Sequence, residues 1–171
     1  YKRQSMVREA WKLASILRRN RYAKGALDLD FPEVRAVMDK DGRVTDIITE
    51  EYDESHQLIE ECMLAANEAV ALTLKNRNRP TIYRVHEEPD SAKLFEFGQL
   101  CKLYGHPVHD IGQRQYLNEL MKSIKGSPDE QLLKLALLKS LMRARYDTEP
   151  LGHYGLATAN YCHFTSPIRR Y

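Results

Sequence analysis

The last twelve residues of the sequence, 160–171, contain the residue types best suited to binding a phosphate group. Ser166 followed by Pro167 is typical of a helix start, with serine as the N-cap and proline at the first helical position. Free backbone N–H groups and the positive end of the helix dipole would lie there, where an anion can bind. Arg169 falls in that first turn. Arginine is unfavourable for the dipole at this position, and a phosphodiester gripped by its planar guanidinium would explain why it is there.

Aromatic side chains precede this predicted helix start. Tyr161, His163 and Phe164 offer rings on which nucleic-acid bases can stack. The alternative is an ordinary capped helix with an exposed pair, Arg169 and Arg170. Residue spacing alone therefore predicts a possible phosphate-binding helix start and leaves the alternative open.

A second polar group lies on a predicted long helix. His56, Glu60 and Asn67 are separated by four and seven residues, so they share one stripe beside the apolar face. A polar stripe that borders the core can form the wall of a cleft. The alternative is a solvated flank of the helix.

Metal-ligand patterns are weak in this sequence. Asp28 and Asp30, and likewise Asp39 and Asp41, are two residues apart, but neither pair has the register of a calcium-binding loop. The six histidines lack the spacings of zinc enzymes, and no Walker A, Rossmann or nucleophile-elbow motif occurs. Residue spacing therefore gives no specific indication of a metal site.

The composition is that of one soluble globular domain. Hydrophobic residues make up 43% and charged residues 29%, which excludes a disordered chain, and no apolar run is long enough to cross a bilayer. The net charge of +2 does not by itself indicate a nucleic-acid binder. Cys62, Cys101 and Cys162 are far apart, which argues against disulfides and structural zinc and favours a cytoplasmic location.

The periodicity predicts an α+β fold that is mostly helical with a small antiparallel β-hairpin. Helices are predicted at 4–21, 55–74, 90–104, 113–124 and from 127 to about 145, and strands at 33–38, 44–49 and 81–85. Asp53 and Asp90 are the predicted N-caps, and Asp41-Gly42 is the hairpin turn. A capping box at 127–130 opens the last helix, whose broad apolar face predicts that it is well buried.

Four blocks of the sequence, in order, resemble the RNB-domain exoribonucleases of the ribonuclease R and ribonuclease II type, in particular bacterial ribonuclease R. The blocks are 25–33, 58–68, 83–90 and 160–171. The resemblance covers nearly the whole chain. It implies that residues 1–171 are one partial RNB catalytic domain, without the upstream aspartate block and the downstream end of that domain.

The resemblance also implies an activity. Members of this family hydrolyse single-stranded RNA processively from the 3′ end to nucleoside 5′-monophosphates with Mg²⁺. We expect the Mg²⁺ ligands to lie outside this segment. The isolated segment is then expected to be inactive. The protein is expected to be a cytoplasmic monomer that binds single-stranded RNA and does not bind a membrane. Its protein partners are not predicted. Two alternatives are a catalytically degenerate module that binds RNA or protein and a purely structural helical domain.

Individual residues match the family's functional positions. The resemblance assigns Arg169 to the scissile phosphate and one of the paired glutamates, Glu60 or Glu61, to the terminal nucleotide; we favour Glu60 as catalytic because it shares the polar stripe. Leu29 stands where some relatives carry a phenylalanine that clamps the terminal base, which puts that clamp in doubt. The predicted RNA-binding residues are Leu29, Glu61, Tyr161, His163, Ser166 and Arg170.

Overall fold

The computed structural model describes residues 2–29, 31, 33–50, 52–166 and 168, without the side chains of residues 2, 3, 33 and 50. The helices are α1 Lys2–Ala23, α2 Glu54–Asn76, α3 Ser91–Leu103, α4 Arg114–Ile124 and α5 Glu130–Ser140. The strands are β1 Glu33–Met38, β2 Val44–Glu50, β3 Tyr83–Val85 and β4 Arg145–Asp147. The predicted fold class, α+β and mostly helical with small antiparallel sheets, is confirmed.

Aspartate caps fix the starts of the two helices that border the site. The Asp53 side chain accepts hydrogen bonds from the backbone N–H groups of Ser55 (2.9 Å) and His56 (3.1 Å). The Asp90 side chain does the same for Ala92 (2.8 Å) and Lys93 (3.2 Å). Both predicted N-caps are confirmed, because a short carboxylate satisfies N–H groups that have no partner within the helix.

The first sheet is the predicted hairpin of β1 and β2. Its turn is held by the Asp39 side chain, which accepts from the N–H groups of Asp41 and Arg43 at 2.9 Å each. Gly42 has φ +78°, a left-handed conformation that glycine adopts without strain. The pairing is antiparallel, with an irregularity between Val37 and Met38.

The second sheet pairs β3 with β4 and corrects the prediction of helix up to residue 145. Helix α5 ends at Ser140, and Arg84 lies opposite Tyr146 in an antiparallel register. The Arg84 guanidinium stacks on the Tyr146 ring at 4.8 Å, and Arg145 Nη2 lies 2.7 Å from a Glu87 carboxylate oxygen. These contacts to a distant strand outweigh local helix propensity.

The predicted capping box is also corrected. Helix α5 begins at Glu130, after a turn that places Gly126 at φ +80°. Glu130 reaches back as predicted, but it accepts from the N–H of Gly126 (2.7 Å), and no hydrogen bond is found for Ser127 Oγ among the described residues. The left-handed turn at Gly126 brings that N–H to the carboxylate, so the serine is not the cap.

Two hydrophobic clusters stabilise the fold. The main cluster joins α3, α4 and α5, and the smaller one consists of Ala71, Tyr83, Val85 and Cys162 with Val70 against it. Leu133 and Leu137 of α5 and its C-cap residue Leu141 are buried in the main cluster. An adjacent face of the helix is exposed and carries Leu132, Leu135 and Leu138. The prediction that α5 is well buried is therefore correct for one face only.

Within the residues described, no helix has both the length and the apolar character needed to cross a membrane.

Candidate functional site

A cleft of about 540 Å³ runs along the N-terminal half of α2 and faces the segment 161–165. Its polar lining consists of Tyr52, Ser55, His56, Glu60, Asn67, Tyr161 and Thr165. We call this cavity the α2 cleft. The structure thus confirms that His56, Glu60 and Asn67 share one wall, because residues four and seven apart lie on one face of a helix.

The entrance of the α2 cleft is built around Glu60. The Tyr52 hydroxyl donates a hydrogen bond to the Glu60 carboxylate. The rings of Tyr52 and His56 stack with centroids 5.8 Å apart, and His56 Nδ1 lies 2.8 Å from Asp53 Oδ1. Hydrogen bonds from the Ser55 side chain and then the His56 backbone lower the pKa of Asp53, so this aspartate is ionised near neutral pH. The entrance therefore presents an acceptor carboxylate beside an aromatic surface.

The inner wall is formed by Asn67 and the segment 161–165. Asn67 is 2% exposed, and its Oδ1 accepts from the Thr165 N–H at 2.9 Å. Its Nδ2 donates to the Tyr161 hydroxyl at 3.2 Å, and its backbone carbonyl accepts from Cys162 Sγ at 3.5 Å. These contacts attach the C-terminal segment to the same helix that carries Glu60.

Within this wall, Tyr161 and His163 belong to a buried aromatic cluster. The Tyr161 ring makes edge contacts with His153 and His163, each at a centroid distance of 5.5 Å. His163 Nδ1 is hydrogen-bonded to the Tyr146 hydroxyl at 2.8 Å. Burial, and then the nearby His86 and Arg84, lower the pKa of His153 to about 4, so its imidazole is neutral at pH 7. Both rings already contact neighbouring side chains and are almost entirely buried, so little of either ring is exposed to a base. Base stacking on Tyr161 and His163 stays a prediction.

Glu61 faces a different neighbour from Glu60. Its carboxylate forms an ion pair with Arg21 of α1, whose Nε lies 3.1 Å from Oε1, and Glu61 is only 2% exposed. Burial has the largest single effect and lowers the pKa of Arg21, but the hydrogen bonds to Glu61 together with the charges of Tyr22, Glu61 and Glu60 outweigh it, so the pKa is raised. The predicted RNA contact of Glu61 stays a prediction, and the ion pair gives this residue a structural role.

The other predicted residues lie in several places. Leu29 is half-buried against the main cluster and is not part of the lining of the α2 cleft. Ser166 follows the inner wall directly, and its N–H donates to the His163 carbonyl at 3.2 Å. Arg169 and Arg170 lie outside the described residues, so the roles assigned to them stay predictions.

No three histidine, cysteine, aspartate or glutamate side chains among the residues described lie close enough together to hold a metal ion. The location of Mg²⁺ ligands outside this segment stays a prediction.

Sequence reasoning missed Tyr52 and Thr165 of the α2 cleft. Tyr52 lies before the N-cap of α2, outside the helical periodicity that identified Glu60, although it precedes His56 by four residues and Glu60 by eight. Thr165 contributes its backbone N–H to Asn67, and a backbone donor leaves no signal in residue type.

The fold and the cleft define a mostly helical α+β domain in which α2 and the segment 161–165 line one cavity. Residues 2–171 match the family model described as "RNB domain", and the chain belongs to this family of RNA-degrading exoribonucleases.

Relatives of known name support the same assignment. The chain is 38% identical over 162 residues to ribonuclease R of Aquifex aeolicus, covering 93% of this chain and 23% of that protein. It is 32% identical over 167 residues to ribonuclease R of Escherichia coli, covering 96% of this chain and 20% of that protein. The chain thus spans about a fifth to a quarter of the length of these curated relatives.

Solved structures share the fold. Mycoplasma genitalium RNase R in complex with ribose methylated single-stranded RNA matches with a TM-score of 0.88 and 28% identity, covering 95% of this chain and 26% of that one. Yeast Ssd1, described as a pseudonuclease, matches with a TM-score of 0.62 and 25% identity, covering 71% of this chain and 16% of that one.

Proposed function

We propose that this chain forms one wall of the active site of a 3′→5′ exoribonuclease that hydrolyses single-stranded RNA processively to nucleoside 5′-monophosphates. The observation that supports the proposal best is the α2 cleft, which brings the Glu60 carboxylate and the segment leading to Ser166 to the same cavity. Membership of the RNB family and the likeness to an RNase R structure in complex with single-stranded RNA support the substrate class.

Glu60 is suited to the sugar rather than to the phosphate. An ionised carboxylate accepts hydrogen bonds and repels phosphate, so at the cleft entrance it would bind ribose hydroxyls of the terminal nucleotide. Its hydrogen bond from Tyr52 fixes one carboxylate oxygen and leaves acceptor capacity for a sugar hydroxyl. In this proposal Glu60 orients the terminal nucleotide.

Arg169 would act on the phosphate. Thr165 is attached to α2 through Asn67, and Arg169 follows it by four residues in the sequence. A guanidinium donates to two phosphate oxygens at once and stabilises the charge that develops on them during hydrolysis. The reaction would be assisted by Mg²⁺ held by residues outside this segment, and the protein would act in the cytoplasm as a monomer.

The test is substitution of Arg169 in the full-length protein. Arg169→Ala should slow degradation of a single-stranded oligoribonucleotide by about 100- to 1,000-fold, because one electrostatic donor is lost. Arg169→Lys keeps the positive charge but cannot make the bidentate contact of a guanidinium, so it should recover only part of the rate. Degradation at the normal rate by Arg169→Ala would contradict the assignment.

A second candidate is a catalytically degenerate module that binds RNA or a protein partner without hydrolysis. The likeness to Ssd1, a pseudonuclease, favours it specifically. The two functions differ in one measurement on the full-length protein with Mg²⁺ present. The enzyme shortens a 3′-accessible oligonucleotide to mononucleotides, whereas the degenerate module retains it intact on binding.

A further inference from the structure

We infer that Asn67 is a positioning residue: it holds the segment 161–165, which precedes the predicted phosphate-binding residue Arg169, in register with Glu60. This inference rests on the proposed function and adds a residue to its machinery. Asn67 lies two helical turns beyond Glu60 on the same wall of the α2 cleft. It is buried, and it contacts the C-terminal segment through both side-chain atoms and its backbone carbonyl.

The polarity of these contacts explains why the residue is an asparagine. The Thr165 N–H can only donate, so the amide atom that faces it at 2.9 Å must be Oδ1. Nδ2 then points at the Tyr161 hydroxyl oxygen, 3.2 Å away. One side chain thus supplies the acceptor for residue 165 and a donor for residue 161, which a hydrophobic side chain of the same shape cannot do.

Residues 161 and 162 are held by β3 and by the smaller cluster, whereas Thr165 is held by α2. The Arg84 N–H of β3 donates to the Tyr161 carbonyl at 2.8 Å, and Cys162 packs in the smaller cluster. Both contacts fix residues 161 and 162 independently of Asn67 Oδ1. Thr165 is attached to α2 by the Asn67 side chain, so this amide, together with the hydrogen bond from the Ser166 N–H to the His163 carbonyl, sets the direction in which the chain continues to Ser166.

Loss of the amide should therefore affect the chemical step more than RNA binding. Glu60 and the aromatic surface of Tyr52 and His56 precede Asn67 by about two helical turns or more and should still bind RNA. A shift of about 1 Å in a positioned group can cost about 100-fold in rate. The expected signature is a lower kcat with little change in KM.

The test compares variants of the full-length protein on single-stranded RNA. Asn67→Leu removes both side-chain hydrogen bonds at similar volume and should lower kcat by about 100-fold while KM stays within about twofold. Asn67→Asp keeps an acceptor for the Thr165 N–H and should recover part of that loss. Thr73→Val is the matched control on the same helix, because Thr73 Oγ1 donates only to the Ala69 carbonyl (2.7 Å) and is exposed. It should leave kcat unchanged.

Hydrogen exchange provides a readout that does not need activity. The Thr165 amide should exchange faster in Asn67→Leu than in the unsubstituted protein, with Asn67→Asp in between, while amides of α3 to α5 keep their protection. Normal kcat in Asn67→Leu, or equal losses in Asn67→Leu and Thr73→Val, would overturn the inference. An unsubstituted protein that binds RNA without degrading it would instead refute the proposed function, which is a different result from an active protein that tolerates Asn67→Leu.

Discussion

Glu61 and Arg21 form a buried ion pair between α2 and α1, while the preceding residue, Glu60, faces the α2 cleft. Two adjacent glutamates thus face different neighbours, because the side chains of successive residues in a helix point about 100° apart. Substitution of each should therefore affect a different property of the protein.

The first prediction separates the two glutamates. In the full-length protein, Glu60→Gln should slow RNA hydrolysis by about 100-fold, because the terminal nucleotide is oriented less well, and should change the free energy of unfolding by less than about 0.5 kcal/mol. Glu61→Gln should destabilise the fold by about 3 kcal/mol, because it leaves the Arg21 charge buried without its partner. Rate assays and urea unfolding of both variants measure the two effects, and interchanged results would reverse the assignment of the pair.

The second prediction concerns the two faces of α5. Leu137 is 0% exposed and Leu138 is 45% exposed, so they form a matched pair of adjacent leucines. Leu137→Ala should cost about 2–5 kcal/mol of unfolding free energy because it leaves a cavity in the main cluster. Leu138→Ala should cost about 1 kcal/mol or less. Equal losses in urea unfolding would show that the outer face of α5 is buried in the protein.

The third prediction is a loss of stability in acid. The pKa of His153 is about 4 in the folded chain and 6.5 for the free side chain. The unfolded chain therefore binds more protons between these values, and stability falls as the pH decreases from about 6.5 to about 4. His153 alone would contribute up to about 3 kcal/mol of this loss. Unfolding free energies measured across that range should show a shallower decline in His153→Gln.

The exposed His109 provides the control for this pH dependence. His109→Gln should leave the acid-dependent decline unchanged. The same decline in His153→Gln as in the unsubstituted chain would mean that other groups, such as His86, whose pKa is also lowered by burial, carry the effect.

The fourth prediction compares two glycines with positive φ. A Cβ at Gly25 (φ +101°) would lie 2.7 Å from Arg114 Cδ, whereas a Cβ at Gly105 (φ +80°) would meet nothing within 4 Å. Gly105→Ala should cost about 1 kcal/mol from backbone strain alone. Gly25→Ala should cost about 2–4 kcal/mol, because steric overlap adds to the strain. Thermal unfolding of the two variants tests whether the difference lies in the contact with Arg114.

The sequence predicted those features whose causes are local. The caps at Asp53 and Asp90 and the hairpin at Gly42 depend on a few neighbouring residues, and all three are confirmed. Strand β4 was missed because Arg145–Asp147 is extended only through its pairing with β3, some sixty residues away. Propensity carries no information about such a distant partner.

In the candidate site, too, features with local causes were predicted and contacts with distant residues were not. Helical spacing placed His56, Glu60 and Asn67 on one wall, but it did not predict that Tyr52, which precedes the helix, would reach Glu60. Nor could spacing predict that Glu61 would form an ion pair with Arg21, forty residues earlier in the chain. Such pairings depend on how helices dock, which the pattern of a single helix does not contain.

The smaller cluster has a consequence for how the cleft moves. Cys162 shares it with Ala71 of α2 and with Tyr83 and Val85 of β3, whereas α3, α4 and α5 pack in the main cluster. A group of so few buried side chains separates at a lower free energy than a core of three helices. The segment 161–165 should therefore separate from α2 at a lower free energy than the helices of the main cluster separate, and its register with Glu60 would be lost and regained more often than the domain unfolds.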